Sequence, residues 1–151
     1  MSIEDRLADL GIDLPPVAKP VAAYVPAIQV GDQISTSGQL PLVSGSLPMT
    51  GLVGDQISQG DAAGQARVAA LNALAAAADV AGGVNNIRRG GRVVVYVAST
   101  ADFTAQPAVA NGASELFGEI FGDAGRHIRS AIGVASLPLG APVKVELTVQ
   151  V

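Results

Sequence analysis

The sequence has no cysteine and no tryptophan, and only one histidine, two tyrosines and three phenylalanines. Without cysteine there is no disulfide, no thiolate metal site and no cysteine nucleophile. A single His127, with no His/Asp/Glu cluster at ligand spacing, speaks against a tightly held transition metal, so neither a metal nor another cofactor is expected. With so few rings, the core has to be packed from Ala, Val, Leu and Ile. Charge is scarce as well: 15% of residues are charged against 49% hydrophobic, a balance too apolar for a disordered chain. The net charge of −4 argues against nucleic acid as a partner, because such binding depends on Lys and Arg neutralising phosphates. No apolar run is long enough to span a bilayer, and the N-terminus MSIEDRLADLG carries acids where a secretory signal carries basic residues. A cytoplasmic protein without a membrane segment is the expectation.

What is present suits one domain, since 151 residues can bury well over half of their unfolded surface in one core. Residues 1–20 end in Leu14-Pro15-Pro16-Val17-Ala18-Lys19-Pro20, which cannot continue a helix. They read as an N-terminal extension, a short helix and a linker, before a domain over 21–151. Two apolar runs around Gly31-Asp32 predict a hairpin of Tyr24–Val30 and Gln33–Ser37. The segment from Pro41 to Gly54 reads as a loop or short ribbon. From Ser58 to Ala81 an Ala-rich run, with Asp61 near its start and Gly82-Gly83 past its end, predicts a long helix. Val68, Leu71, Leu74 and Ala75 are its expected buried face. Gly90-Gly91, like Gly82-Gly83, reads as a turn. Arg92–Ser99 is a Val-rich buried strand, and Pro107–Phe121 a second amphipathic helix. Ile128–Ser136 alternates in part. Val143, Val145, Leu147, Val149 and Val151 alternate strictly with polar residues, as in a strand with one buried face.

The order ββ-α-β-α-ββ gives an α+β architecture, a mixed sheet with two helices on one face. The uncovered face of such an apolar sheet calls for further copies of the chain, so a homo-oligomer is expected.

Serines such as Ser35 and Ser37 lack a Gly-x-Ser-x-Gly elbow and have only His127 as a prospective base, which argues against a serine hydrolase. Arg129 is different. It falls in an apolar segment between Ile128 and Ile132, where a guanidinium is costly without an anion, and its planar fork matches a carboxylate. Small residues at Ala131 and Gly133 on its face leave room beside it. Two readings stand together: a ligand clamp, or a structural arginine that pairs with a carboxylate such as Glu146 or lies exposed on a sheet edge.

The C-terminal stretch HIRSAIGVASLPLGAPVKVELTVQV resembles the signature of the Rid/YjgF family: an Arg, a small residue, a valine-rich strand, Leu-Pro and a Val-Glu-type strand. AYVPAIQVGDQISTSGQLP with Tyr24, the Ser37-Gly38-Gln39 turn, RVVVYVAS, and Asn111 in the helix leading to Phe117 agree in order. The similarity spans about residues 20–151. It implies a chorismate-mutase-like fold (bacillar type), a homotrimer with sheets packed inward, and small-molecule clefts at subunit boundaries. In deaminating members the matching Arg clamps the carboxylate of a 2-imino acid while water releases ammonia and a 2-oxo acid. Arg129 takes that role by resemblance. Tyr24, Ser37, Gly38 and Asn111 line the cleft, and the backbone at Ala131 touches the ligand, a small carboxylate. Registering Leu137-Pro138 on the family's Leu-Pro puts Lys144 where deaminating members carry a water-positioning Glu; a shift of two residues puts Glu146 there. An imine deaminase with Arg129 and Glu146 as catalytic residues, and a non-catalytic carboxylate-binding or regulatory protein, are both carried forward. Ribonuclease activity ranks behind them.

Overall fold

Short polar residues and glycines fix where the elements begin and end in the computed structural model, which describes residues 1–20 and 22–151. The long helix α2 (Gln59–Ala81) opens at Ser58, whose hydroxyl accepts the Asp61 amide at 3.1 Å. It closes at Gly82, whose left-handed φ of 79° suits a residue without a Cβ. A capping box of Ser2 and Asp5 starts the short α1 (Ile3–Asp9). Pro107 sits in the first turn of α3 (Gln106–Phe121), where the missing N–H costs nothing, and Gly122 ends it.

The strands are β1 (Ala27–Val30), β2 (Gln33–Thr36), β3 (Arg89–Ala98), β4 (Ile128–Val134) and β5 (Val143–Gln150). They form one sheet of order β1-β2-β5-β3-β4, with β3 and β4 parallel and every other pair antiparallel. α3 is the crossover between the parallel pair. The predicted hairpin is shorter than expected at its start: the ladder begins at Ala27, because Pro26 has no N–H to donate and offers only its carbonyl, to the Ser37 amide at 2.7 Å.

Gly90-Gly91 is a correction. The pair lies inside β3, where the register with β5 shifts between Gly90 and Arg92. A Cβ at Gly90 would lie 3.3 Å from the Gly125 carbonyl oxygen, and one at Gly91 3.1 Å from that of Thr148. Close backbone approach at a bulge, not a turn, uses these glycines.

Both long helices cover one face of the sheet. Val93, Val95 and Val97 of β3 stand opposite Leu147, Val145 and Val143 of β5, and all six are buried beneath the helices. The buried side of α2 also departs from the expected stripe. Leu74 and Ala75 are buried, but Val68 and Leu71 are half-buried and face a groove beside Pro15–Lys19. Ala62, Ala66, Ala69, Ala70, Ala73 and Ala77 make the contact instead, because methyl groups let the helix backbone lie close to its neighbours. At the α2–α3 crossing, Gly112 has no room for a Cβ, which would overlap the Ala63 carbonyl. Arg67 of α2 and Glu119 of α3 close the same crossing with a two-pronged ion pair, 2.8 and 3.3 Å. Hydrogen bonding to Arg67 holds the Glu119 carboxyl below the usual range.

Within residues 1–20, Leu7 is buried, Ile3, Leu10, Ile12, Leu14 and Val17 pack against the core, and Arg6 donates to the Glu119 carbonyl at 2.8 Å. The sheet's other face carries Lys144, Glu146 and Thr148 of β5, Arg92 and Tyr96 of β3, and Ile128 and Ile132 of β4, with Ile28 and Val30 of β1 at its edge. Four of these apolar side chains are exposed: Ile28 52%, Val30 71%, Ile128 64% and Ile132 46%.

Candidate functional site

Register decides where Arg129 points. It stands opposite Val93 in the parallel β3–β4 ladder, so its side chain shares the helix-covered face. There Nη1 donates to Asn111 Oδ1 at 2.8 Å and to Ser114 Oγ at 3.1 Å, both on α3 and one turn apart. Both partners are neutral. Among the described residues the ion pairs are Arg67–Glu119 and Arg126–Asp123, so Arg129 has no carboxylate of its own. The pairing with Glu146 does not form: Glu146 lies on the opposite face of the sheet and accepts the Tyr96 hydroxyl at 3.0 Å. Burial first, then that carboxylate, raises the Tyr96 phenol above its ordinary range.

Since Nη1 makes both internal bonds, the side edge of the guanidinium, Nε and Nη2, keeps its N–H groups for another acceptor. That edge is the one a carboxylate meets with two parallel hydrogen bonds. Arg129 borders a depression of about 540 Å3 lined also by Ser114, Gly118, Arg126 and His127.

Ser114 and His127 belong to the same network, and sequence reasoning missed them as a pair. His127 Nδ1 is 2.6 Å from the Gly125 carbonyl oxygen, which only accepts, so Nδ1 carries the proton in the neutral ring. Nε2 then accepts the Ser114 hydroxyl at 2.9 Å, leaving Ser114 Oγ as acceptor for Arg129. Phe117 holds the imidazole edge-on, centroids 5.9 Å apart. The two residues are 13 apart in sequence on a helix and a loop, with no spacing motif to announce them.

A second group of expected residues gathers elsewhere. Tyr24, Ser37, Gly38 and Lys144 line one cavity of about 290 Å3, walled by Pro26, Leu40, Leu42, Pro138 and Leu139. Ser37 and Gly38 follow β2, and Lys144 arrives from β5. The buried Asn72 of α2 donates to the Leu40 and Leu42 carbonyls, both at 3.0 Å, and so fixes the chain leaving Gly38. Lys144 passes directly over Gly38, where a Cβ would collide with Cγ, Cδ and Cε of the lysine. Lys144, not Glu146, therefore shares this cavity.

One chain thus brings Arg129 and Asn111 together, and Tyr24, Ser37, Gly38 and Lys144 together, but keeps the groups apart: β3 separates β4 from β5 in the sheet. Ala131 is half-buried beside Arg129 and lines neither depression. Two larger grooves, each about 720 Å3, lie beside the N-terminal segment and include neither Arg129 nor Lys144. Among the described residues no cluster of His, Asp or Glu is placed to hold a metal ion, and no helix is long and apolar enough to cross a membrane.

Comparison with known proteins gives one consistent answer. Residues 4–151 match the family model described as "YjgF/chorismate_mutase-like, putative endoribonuclease". Protein TCP17 of Trypanosoma cruzi is 39% identical over 146 residues, 96% of this chain and 91% of that protein. The crystal structure of Atu1372 from Agrobacterium tumefaciens is 40% identical, with TM-score 0.88 over 99% of this chain and 92% of that one. That of a "putative endoribonuclease" from Shewanella oneidensis MR-1 is 32% identical, with TM-score 0.95 over the whole of both chains. With its five-stranded mixed sheet under two long helices, the chain belongs to the YjgF/chorismate mutase-like family.

Proposed function

We propose that this protein binds small 2-oxo and 2-imino acids in a cleft formed between copies of the chain, with Arg129 as the carboxylate clamp. The observation that carries this is the state of Arg129: a half-buried guanidinium steered by two neutral oxygens, unpaired with any acid among the described residues, and keeping its two-pronged edge free. Burying a guanidinium without an acid is costly, so a free two-pronged edge here favours an incoming carboxylate. Asn111 and Ser114 act here as positioning groups, and the apolar walls around Tyr24 and Ser37 suit a short side chain.

The cleft between copies is part of the proposal. It has two supports: the separation of the clamp from the Tyr24 cavity within one chain, and the exposed Ile28, Val30, Ile128 and Ile132 on the sheet face away from the helices. A homotrimer in the cytoplasm is the assembly this reading takes. Sedimentation equilibrium is expected to give three chains, and a monomer at micromolar concentration removes the cleft.

Imine hydrolysis is the second reading, favoured by the same clamp. Its weak point is the partner cavity, where the cation Lys144 stands and Glu146 is held by Tyr96 instead. A charged lysine cannot take up a proton from attacking water. Titration calorimetry with 2-oxobutyrate tests the binding reading. Arg129→Ala removes two charge-assisted hydrogen bonds and is expected to weaken binding about 100-fold or more; unchanged affinity refutes the clamp. Freshly generated 2-iminopropanoate, with release of pyruvate followed in a coupled assay, tests the second reading in the same two proteins.

A further inference from the structure

Within the Tyr24–Ser37–Gly38 cavity, the residues that surround it include two lysines, Lys19 and Lys144, and no Asp or Glu. In a chain of net charge −4 that is a local reversal of sign. Lys144 is half-buried, yet among the described residues its side chain makes no ion pair and no hydrogen bond. The nearest acid along its own strand face, Glu146, is engaged by the Tyr96 hydroxyl. The half-buried stem of Lys144 leaves the ammonium at the cavity wall with no acceptor among the described residues, available to an incoming anion.

The approach of Lys144 is built into the backbone. Its methylene stem occupies the space of a Cβ at residue 38, so only glycine there lets the side chain run along the cavity wall. The neutral groups beside it favour an anion too. Ser37 Oγ already accepts Gln39 Nε2 at 3.3 Å, which leaves its own proton to donate, and the Tyr24 hydroxyl is a second donor with no acceptor among the described residues. An ammonium and two hydroxyl donors lining one cavity of about 290 Å3 suit a single carboxylate on a short carbon chain.

We propose that the ligand is a short dicarboxylate, a 2-oxo or 2-imino diacid whose C1 carboxylate is taken by Arg129 and whose distal carboxylate is taken by Lys144. This rests on the reading of a cleft that joins the Arg129 side of one copy to the Lys144 cavity of another. The second charge goes beyond that reading: it makes Lys144 the residue that selects diacids over monoacids of the same length.

The test compares 2-oxoglutarate with 2-oxopentanoate, its equal in chain length without the distal carboxylate, by titration calorimetry on the full chain. Wild type is expected to prefer 2-oxoglutarate about tenfold or more. Lys144→Met is expected to bring the ratio of the two affinities to about one, and Lys144→Arg to keep most of the preference. Equal affinities in the wild type overturn the proposal, as does a preference that survives Lys144→Met. Arg129→Ala separates the two levels. If both acids bind equally and both depend on Arg129, the diacid inference fails while the cleft stands; if neither binding depends on Arg129, or neither acid binds, the cleft and the inference fall together.

Discussion

Replacing Gly112 by alanine should destabilise the protein, although alanine is the better helix former. In an open helical position Gly→Ala stabilises by about 0.4–1 kcal/mol, chiefly by restricting the unfolded chain. Gly64 is such a position: it lies in α2, exposed, with nothing within 4 Å of the place a methyl group would take. Gly112 lies in α3 at the crossing with α2, and its methyl would overlap the Ala63 carbonyl, a backbone group that cannot swing aside. The helices must separate, and overpacking of this kind costs about 1–3 kcal/mol. Subtracting the helical gain leaves a net loss of about 1–2 kcal/mol, so Gly112→Ala and Gly64→Ala should differ by about 2 kcal/mol with opposite signs. Urea denaturation measures both. A Gly112→Ala protein as stable as wild type refutes the claim that this crossing is set by backbone contact. The functional consequence follows from neighbours in sequence. Asn111 precedes Gly112 and Ser114 follows two later, so a displaced α3 also moves both groups that steer Arg129, and 2-oxo acid affinity should fall along with stability.

Leu147 is 2% exposed on the central strand β5, opposite Val93, and Leu147→Asp should cost several kcal/mol or abolish folding; a soluble variant that unfolds cooperatively refutes the packing described. In a Tyr24→Phe protein the only phenol left is Tyr96, whose ionisation should lie above the ordinary value of 10.0. Its folded form favours the proton, so this contribution to stability is complete below that value and is lost as pH rises through the raised one. Glu146→Gln should lower the near-ultraviolet phenolate transition only in part, since burial is the larger cause. Lys144→Glu places a carboxylate beside Tyr24 and Ser37, and under the imine-hydrolysis reading it should raise turnover of a 2-imino acid; no turnover in either protein leaves binding alone.

The sheet was legible where one rule dominates. The strict alternation holds from Val143 to Gln150, a strand whose odd positions are buried, while Val151 lies past its end and is only half-buried; Ser58 and Gly82 cap α2 as their chemistry requires. It was illegible where a neighbour distant in sequence decides. Gly90-Gly91 looks like a turn until the Gly125 and Thr148 carbonyls come within reach. Val68 and Leu71 carry the larger side chains of α2, yet alanines hold the tight interface and the larger groups face Pro15–Lys19. For the site, composition and spacing singled out Arg129 but left it open between a ligand clamp, a structural pair with a carboxylate such as Glu146, and exposure on a sheet edge. A single step of register settles that pairing: Arg129 stands opposite Val93 and Glu146 opposite Val94, so the two side chains leave the sheet on opposite faces. Ser114 and His127 meet only through the fold, and no pattern in the sequence brings them together.

The division of the site into two halves can be tested directly by complementation. Arg129→Ala removes the clamp and leaves the Tyr24 cavity intact. Ser37→Phe fills the cavity, about 290 Å3, and leaves the clamp intact. Neither protein alone should bind a 2-oxo acid. If each cleft takes Arg129 from one copy and the cavity from another, a mixed oligomer recreates clefts that have both halves unaltered. For random equal mixing, the copy supplying Arg129 must be the Ser37→Phe chain and the copy supplying the cavity the Arg129→Ala chain, so about a quarter of the clefts should recover, or about a third in trimers freed of the unmixed species. If a single chain supplied both halves, no mixture would contain an intact cleft and no binding would return. Co-expression with two tags, purification through both, and calorimetry of the mixed oligomer would decide between these outcomes. Mixed oligomers that form and still fail to bind refute the shared cleft, whatever the ligand's second charge.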